Sequence, residues 1–260
     1  MWIIQNNMNY EIGIETLKDL LLEKRIEHKL LDIHKGKDEF YLTGTDKIID
    51  LANRNDIIGV GSYRFVRMMS HKNITPGSFS NENFTYSKWI DGWGDKMLNN
   101  DSIINKLNNI DIPSDWDVVF ARPLKDNKLF TGGLFRKDDL IMSIEAKILN
   151  ENTKNEEIII SKKKNIDSEY RLFVVDGMVV TGSLYKMRNQ VIIAEFIDEK
   201  VLSFAKECLK DWQPSKAFTL DIAITDDGCK IIEVNNFSSA GLYKSNVNKL
   251  IDAIEKMKPH

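Results

Sequence analysis

The segment Thr219-Leu-Asp-Ile-Ala-Ile-Thr225, Asp226-Asp-Gly228, Cys229-Lys-Ile-Ile-Glu-Val-Asn-Asn236 decides how the rest of the chain is read. Both flanks alternate and are rich in β-branched residues, and Asp-Asp-Gly is turn chemistry, so the segment predicts a β-hairpin. With a three-residue loop, Gly228 left-handed and Thr225 facing Cys229, Asp221 falls directly opposite Glu233. Asn235 shares their face, because side chains repeat with period two. Like charges opposed across a ladder repel. A hard divalent ion such as Mg²⁺, held by carboxylates and substrate phosphates, would turn that repulsion into coordination. A solvated edge with both acids pointing outward is the other reading, and spacing alone leaves both open.

Working outward, Tyr170-Arg-Leu-Phe-Val-Val-Asp-Gly-Met-Val-Val-Thr-Gly-Ser-Leu-Tyr185 reads as a second hairpin with a two-residue Asp176-Gly177 turn. Val175 is expected to face Met178, Arg171 to face Gly182 and Glu169 to face Leu184. Arg171 and Glu169 then share a face, with Gly182 leaving room for the guanidinium to reach a ligand. Its planar fork of donors suits phosphate oxygens; a surface ion pair of little consequence is the alternative. Lys186 and Arg188, placed just past the second strand, contact phosphate or substrate on one reading and are solvated loop charges on the other.

A third cluster is Phe120-Ala-Arg-Pro-Leu-Lys-Asp-Asn-Lys-Leu-Phe-Thr-Gly-Gly133. A strand ends at Arg122-Pro123, a basic loop with Lys125 and Lys128 follows, and Gly132-Gly133 gives backbone freedom. Such loops cradle anions through N–H groups, although a glycine pair also marks a plain turn.

The remaining chain predicts strands at Trp2–Gln5, Glu27–Ile33, Ile57–Val60, Asp117–Ala121 and Glu157–Ser161. Helices are predicted over 12–26, 63–69, 103–108, 137–149, 195–210 and 245–257. Strands alternating with helices at the start imply a parallel βαβ unit. The Asn-rich stretch around Pro76-Gly77 reads as irregular, packed down by Trp89 and Trp93.

Composition narrows the function classes. The 260 residues carry 42% hydrophobic and 29% charged side chains, ordinary for a globular protein. A net charge of −3 gives no electrostatic case for nucleic acid. Two cysteines make no disulfide framework or zinc site, and no apolar run reaches membrane-spanning length. The expectation is a cytoplasmic protein with no membrane partner. No Gly-x-Ser-x-Gly elbow or Walker-type Gly-Lys-Ser/Thr occurs, which argues against a serine hydrolase or P-loop enzyme.

In this order the three clusters resemble the ATP-grasp fold, over roughly residues 113–245. Ala-Arg-Pro…Lys-Leu-Phe-Thr-Gly, Glu-Tyr-Arg-Leu-Phe-Val-Val-Asp-Gly and Glu-Val-Asn-Asn-Phe-Ser-Ser-Ala-Gly-Leu-Tyr are similar to a clade of that fold labelled by an Arg/Lys signature, common in phage and bacteria. Gly61-Ser-Tyr-Arg-Phe-Val-Arg67 also resembles the N-terminal part of that clade. The resemblance implies an α/β (α+β) architecture: a small Rossmann-like βαβ domain over 1–110, then an ATP-grasp domain over 111–260. The latter would divide into lobes of about 111–161 and 162–260 that enclose the nucleotide.

It further implies ATP and Mg²⁺ as cofactors, with Asp221, Glu233 and Asn235 as metal ligands. Arg122, Lys128 and Arg171 would neutralise the transferring phosphoryl group. Gly132, Ile160, Ser161, Lys162, Glu169 and Lys186 would complete the nucleotide site, with adenine near Ile160 to Lys162. The implied activity is an ATP-dependent carboxylate–amine ligase working through an acylphosphate, its co-substrates an amino acid, peptide or metabolite. A small-molecule kinase on the same fold and a nucleotide-binding protein without turnover are the alternatives. One departure stands out: the position before Pro123 is Arg122, where the fold at large usually carries Lys.

Overall fold

A computed structural model of the chain describes all residues except 7, 9–11, 80–82, 125–128, 149–152 and 258–260, and the side chains of 146–148. It divides into two compact units, one made of Met1–Lys96 with Ile166–His260, the other of Met97–Asn165.

The first unit opens with β1 (Trp2–Gln5), α1 (Ile14–Glu23) and β2 (His28–Asp32), and β1 and β2 pair in parallel. This is the βαβ unit that the alternation predicts, trimmed by a residue or two at each end. β3 (Phe40–Leu42) and β4 (Ile48–Ile49) add antiparallel on one side. β5 (Ile57–Val60), α2 (Tyr63–His71) and β6 (Pro76–Gly77) follow, giving the order β4-β3-β2-β1-β5-β6. The side chain of Ser62 caps α2 by accepting the N–H of Phe65. β1 is buried on both faces: Trp2 and Ile4 enter one core, Met1 and Ile3 the other, as expected of the central strand of a covered parallel sheet. α3 (Tyr86–Trp93) then presents Trp89 and Trp93 inward.

The second unit holds β7 (Ile103–Lys106), β8 (Val118–Pro123), β9 (Gly133–Arg136), α4 (Lys137–Ile148) and β10 (Glu157–Lys162), in an antiparallel sheet of order β7-β10-β8-β9. The expected helix at 103–108 is a strand. Ile103 and Ile104 lie opposite Ile160 and Ile159, and facing β-branched pairs favour a sheet. α4 ends where expected, with Leu149 outside the described residues.

The chain returns to the first unit with β11 (Ile166–Val175), β12 (Met178–Met187), β13 (Gln190–Ala194), α5 (Glu199–Asp211), β14 (Ala217–Thr225), β15 (Gly228–Asn236) and α6 (Val247–Met257). Its five strands form an antiparallel sheet, β13-β12-β11-β14-β15. α5 starts at Glu199 rather than 195, because Asp198 caps it by accepting the N–H of Lys200. Phe173, Val175 and Ala217 of this sheet share a core with Trp2, Ile4, Leu17 and Ile251. Trp2 Nε1 also donates to Glu255 Oε1 on α6 at 2.5 Å.

Candidate functional site

The two hairpins form as the sequence predicts, but bulges reset their registers. In the β14–β15 hairpin Thr225 pairs with Gly228, whose φ is +94°, and Ile222 pairs with Ile231. One extra residue, Ile232, then restores the expected pairing of Asp221 with Glu233. In the β11–β12 hairpin Val175 faces Met178, but the extra residue Val180 shifts the rest by one. Arg171 therefore faces Ser183, not Gly182, and Glu169 faces Lys186, not Leu184. Gly182 leaves no open space: a Cβ there would lie 2.5 Å from the Arg171 carbonyl oxygen and 2.7 Å from Leu172. Lys186 lies within β12 rather than past it.

The pairing of β11 with β14 completes the site. Arg171 is opposite Asp221, so Ser183, Arg171, Asp221 and Glu233 form one row across four strands, on one face. Arg171 Nε donates to Asp221 Oδ1 at 2.9 Å and Nη2 to Oδ2 at 2.7 Å. Nη2 also stands 4.0 Å from Glu233 Oε1. The sequence paired Arg171 with Glu169; its partner is Asp221. Glu169 instead accepts from the Tyr185 hydroxyl at 2.8 Å and pairs with Lys186 Nζ at 2.8 Å.

Tyr185 and Tyr243 stack with centroids 5.3 Å apart and planes 12° from parallel. The Arg171 guanidinium carbon lies 5.8 and 5.0 Å from their centroids, within cation–π range. Tyr243 adopts φ +48°, a sparsely populated conformation for a bulky residue. Spacing did not single out Tyr185, Tyr243 or Ser183. Tyr185 follows the Glu169–Lys186 bulge, but Tyr243 arrives from a distant loop with no local signal.

Burial dominates the electrostatics. It pushes Asp221 up from the usual 3.8 to about 6, with Arg171 opposing the rise and Glu233 and Glu169 adding to it. Burial alone would lower Arg171, but the Asp221 charge and hydrogen bonds override it, and the guanidinium stays charged. Burial, with Asp221 and Glu169 nearby, also raises Tyr185, so its hydroxyl keeps the proton it donates.

Asp221, Glu233 and Asn235 are a donor set of two carboxylates and an amide, the hard oxygens that suit Mg²⁺. Asn235 Nδ2 donates to Glu233 Oε1 at 2.8 Å, which leaves the Asn235 carbonyl oxygen and Glu233 Oε2 without protein partners among the described residues. The residues thus fit the ion in kind, while both Asp221 oxygens are held by Arg171. Among the described residues no cluster of three or more His, Cys, Asp or Glu side chains gathers.

The other expected residues belong to the second unit. Arg122 lies near the end of β8, opposite Ile159. A Cβ on Gly132 would come 2.9 Å from Arg122 Cβ, so only glycine lets the loop pass so close. Ile160 is fully buried between Ala121 and Ile103. The pairing with β7 stops there, so Ser161 and Lys162 have a strand neighbour only in β8. Ser161 Oγ donates to Asn99 Oδ1 at 3.0 Å, and Lys162 pairs with Asp115 at 3.4 Å. Lys125 and Lys128 lie outside the described residues. No helix among the described residues is long and apolar enough to cross a membrane.

Comparison with known proteins agrees with this architecture. The chain is similar to a D-alanine–D-alanine ligase from Bacillus anthracis complexed with ATP, at 14% identity and a TM-score of 0.62, covering 99% of this chain and 96% of the other. A RimK domain ATP-grasp protein from Sphaerobacter thermophilus gives 0.61 at 11% identity, with 92% of each chain covered. The ATP-grasp ligase PsnB, complexed with precursor peptide PsnA2 and AMPPNP, gives 0.58 at 12% identity over 99% and 97%. None of the curated proteins matches the chain in sequence. Residues 100–253 match the family model described as an ATP-grasp domain, family 2 of the clade labelled by an Arg/Lys signature. With the fold and more than half of the chain in agreement, the protein belongs to the ATP-grasp superfamily, in its Arg/Lys-signature clade.

Proposed function

We propose that the protein is an ATP-dependent ligase that joins a carboxylate to an amine. The observation that carries this reading is the row Arg171–Asp221–Glu233, with Asn235 beside it on β15. It sets a guanidinium and three oxygen donors on one face, within the stretch that matches the family. The similar structures include one ligase bound to a peptide precursor and another bound to ATP, which supports an amino acid or peptide as co-substrate.

On this reading the substrate carboxylate attacks the γ-phosphorus of ATP and ADP leaves. The amine then attacks the acylphosphate carbonyl carbon and displaces phosphate, giving an amide. Such transfer needs positioning and charge stabilisation rather than a protein nucleophile. Mg²⁺, held by Asp221, Glu233 and Asn235, would neutralise phosphate charge. Arg171 presents Nη1, which has no partner among the described residues, to a phosphate oxygen. Arg122 and Lys128 add positive charge, with Gly132 allowing the loop to approach. Ile160, Ser161 and Lys162 border the adenine. Lys186 and Glu169, paired to each other, orient the phosphate side of the site. An enzyme of this kind works where ATP is supplied, in the cytoplasm.

The test is a panel of amino acids and peptides incubated with ATP and Mg²⁺, with ADP release and product mass both measured. A ligase releases ADP and phosphate only when carboxylate and amine are both present, and its product weighs their sum less water. A product heavier by one phosphoryl group, formed without an amine, would instead identify a kinase. Saturable ATP binding with no ADP from any combination would leave a nucleotide-binding protein without turnover.

A further inference from the structure

The Asp221 side chain is 1% exposed, and each of its oxygens accepts a hydrogen bond from Arg171. The same guanidinium stands 4.0 Å from Glu233. An ion entering between the two acids would meet a positive charge already there, in surroundings too buried for water to screen it. Arg171 is therefore doing electrostatically what a metal ion would do.

Two features make that arrangement exchangeable. Glu233 is the open end of the row, with 43% of its side chain exposed, so a polyphosphate can approach from there. Tyr185 and Tyr243 lie against the guanidinium through their rings, a contact that tolerates a shift better than directed hydrogen bonds do. A triphosphate offers Arg171 new anionic oxygens in bidentate geometry.

We propose that Arg171 is the resting counter-ion of the metal site. It holds Asp221 and Glu233 until a nucleotide polyphosphate draws it away, so that a divalent ion binds the protein only together with nucleotide. This rests on the reading of Asp221, Glu233 and Asn235 as the metal ligands.

The test uses Mn²⁺ as a paramagnetic probe, titrated into the full chain without nucleotide and followed by EPR. Arg171→Met is expected to bind Mn²⁺ at least about tenfold more tightly than wild type, and Mn²⁺ should raise the melting temperature of the variant only. Adding Glu233→Gln to that variant should remove the gain. Wild type is expected to acquire protein-bound Mn²⁺ once a non-hydrolysable ATP analogue is added. Equal Mn²⁺ affinity in wild type and Arg171→Met without nucleotide overturns the exchange while the metal reading stands. Absence of protein-bound Mn²⁺ in either protein, with and without the analogue, overturns both. Should Arg171→Met fail to fold, Arg171→Lys takes its place, because an ammonium is a compact charge without the bidentate fork. A several-fold gain in Mn²⁺ affinity supports the exchange, and an unchanged affinity overturns it.

Discussion

The carbonyl oxygen of Arg171 lies 2.5 Å from the point where a Cβ on Gly182 would sit. Leu172 Cδ2 and Ile197 Cδ1 stand 2.7 and 3.1 Å from the same point, so backbone and side chains close the space together. Gly182→Ala is therefore expected to destabilise the protein by about 1–3 kcal/mol, the usual cost of overpacking. Because the strand forced aside is the one that carries Arg171, nucleotide affinity should fall too. Urea unfolding and ATP-analogue titration of the variant measure the two effects.

Glu233→Gln should separate chemistry from folding. The side chain is 43% exposed, and glutamine retains the acceptor that Asn235 uses. Stability is expected to change by less than about 1 kcal/mol. Mg²⁺-dependent ADP formation should fall by at least about a hundredfold, as when one group that stabilises transition-state charge is lost. Undiminished turnover with an identified substrate pair would remove Glu233 from the metal site.

Trp93 donates its buried indole N–H to the carbonyl oxygen of Cys208 at 2.9 Å and meets Trp212 edge-on, with centroids 4.8 Å apart. Trp93→Phe keeps a ring but leaves that carbonyl unpaired, so a loss of about 1–3 kcal/mol is expected. A thermal melt of the variant reads it directly, and nucleotide affinity in the cold should be unchanged.

The Cys208 thiol supplies a pH signature. Burial pushes it up from the usual 9.0 to about 12, so the folded state favours the neutral thiol more than the unfolded state does. The resulting stabilisation is complete below pH 9 and is lost as pH rises towards 12. At about pH 8 the native protein should leave Cys208 unmodified by iodoacetamide, while the denatured chain reacts readily, because the thiolate is the nucleophile. Mass spectrometry after timed alkylation checks it.

Much of this was legible in the sequence because it rests on short-range signals. The Asp176-Gly177 and Asp226-Asp-Gly228 turns are written in residues that favour turns, and Trp2–Gln5 and Tyr63–His71 follow from apolar period and capping. Bulges were not legible, since no residue announces Val180 or Ile232 as extra. Two errors in the β14–β15 hairpin, one in the loop and one in the omitted bulge, cancelled to leave Asp221 opposite Glu233. In β11–β12 nothing cancelled, and Arg171 moved from Gly182 to Ser183. The Arg171–Asp221 pair was out of reach because no turn joins β11 to β14, so no loop length sets their register. The strand at Ile103–Lys106 was mistaken for a helix because a short apolar run carries no period, and its partner lies over 50 residues further along the chain.

The core that unites Trp2, Ile4 and Leu17 with Phe173, Ala217 and Ile251 draws from both ends of the polypeptide. During synthesis, the opening hundred or so residues must wait for the closing stretch to leave the ribosome before that interior can seal. Met97–Asn165 is one continuous segment with an interior of its own, so it can condense while the rest is still being made. A truncation after the β14–β15 hairpin would therefore remove α6 from the interior it shares with β1, and so harm the beginning of the chain as well as its end.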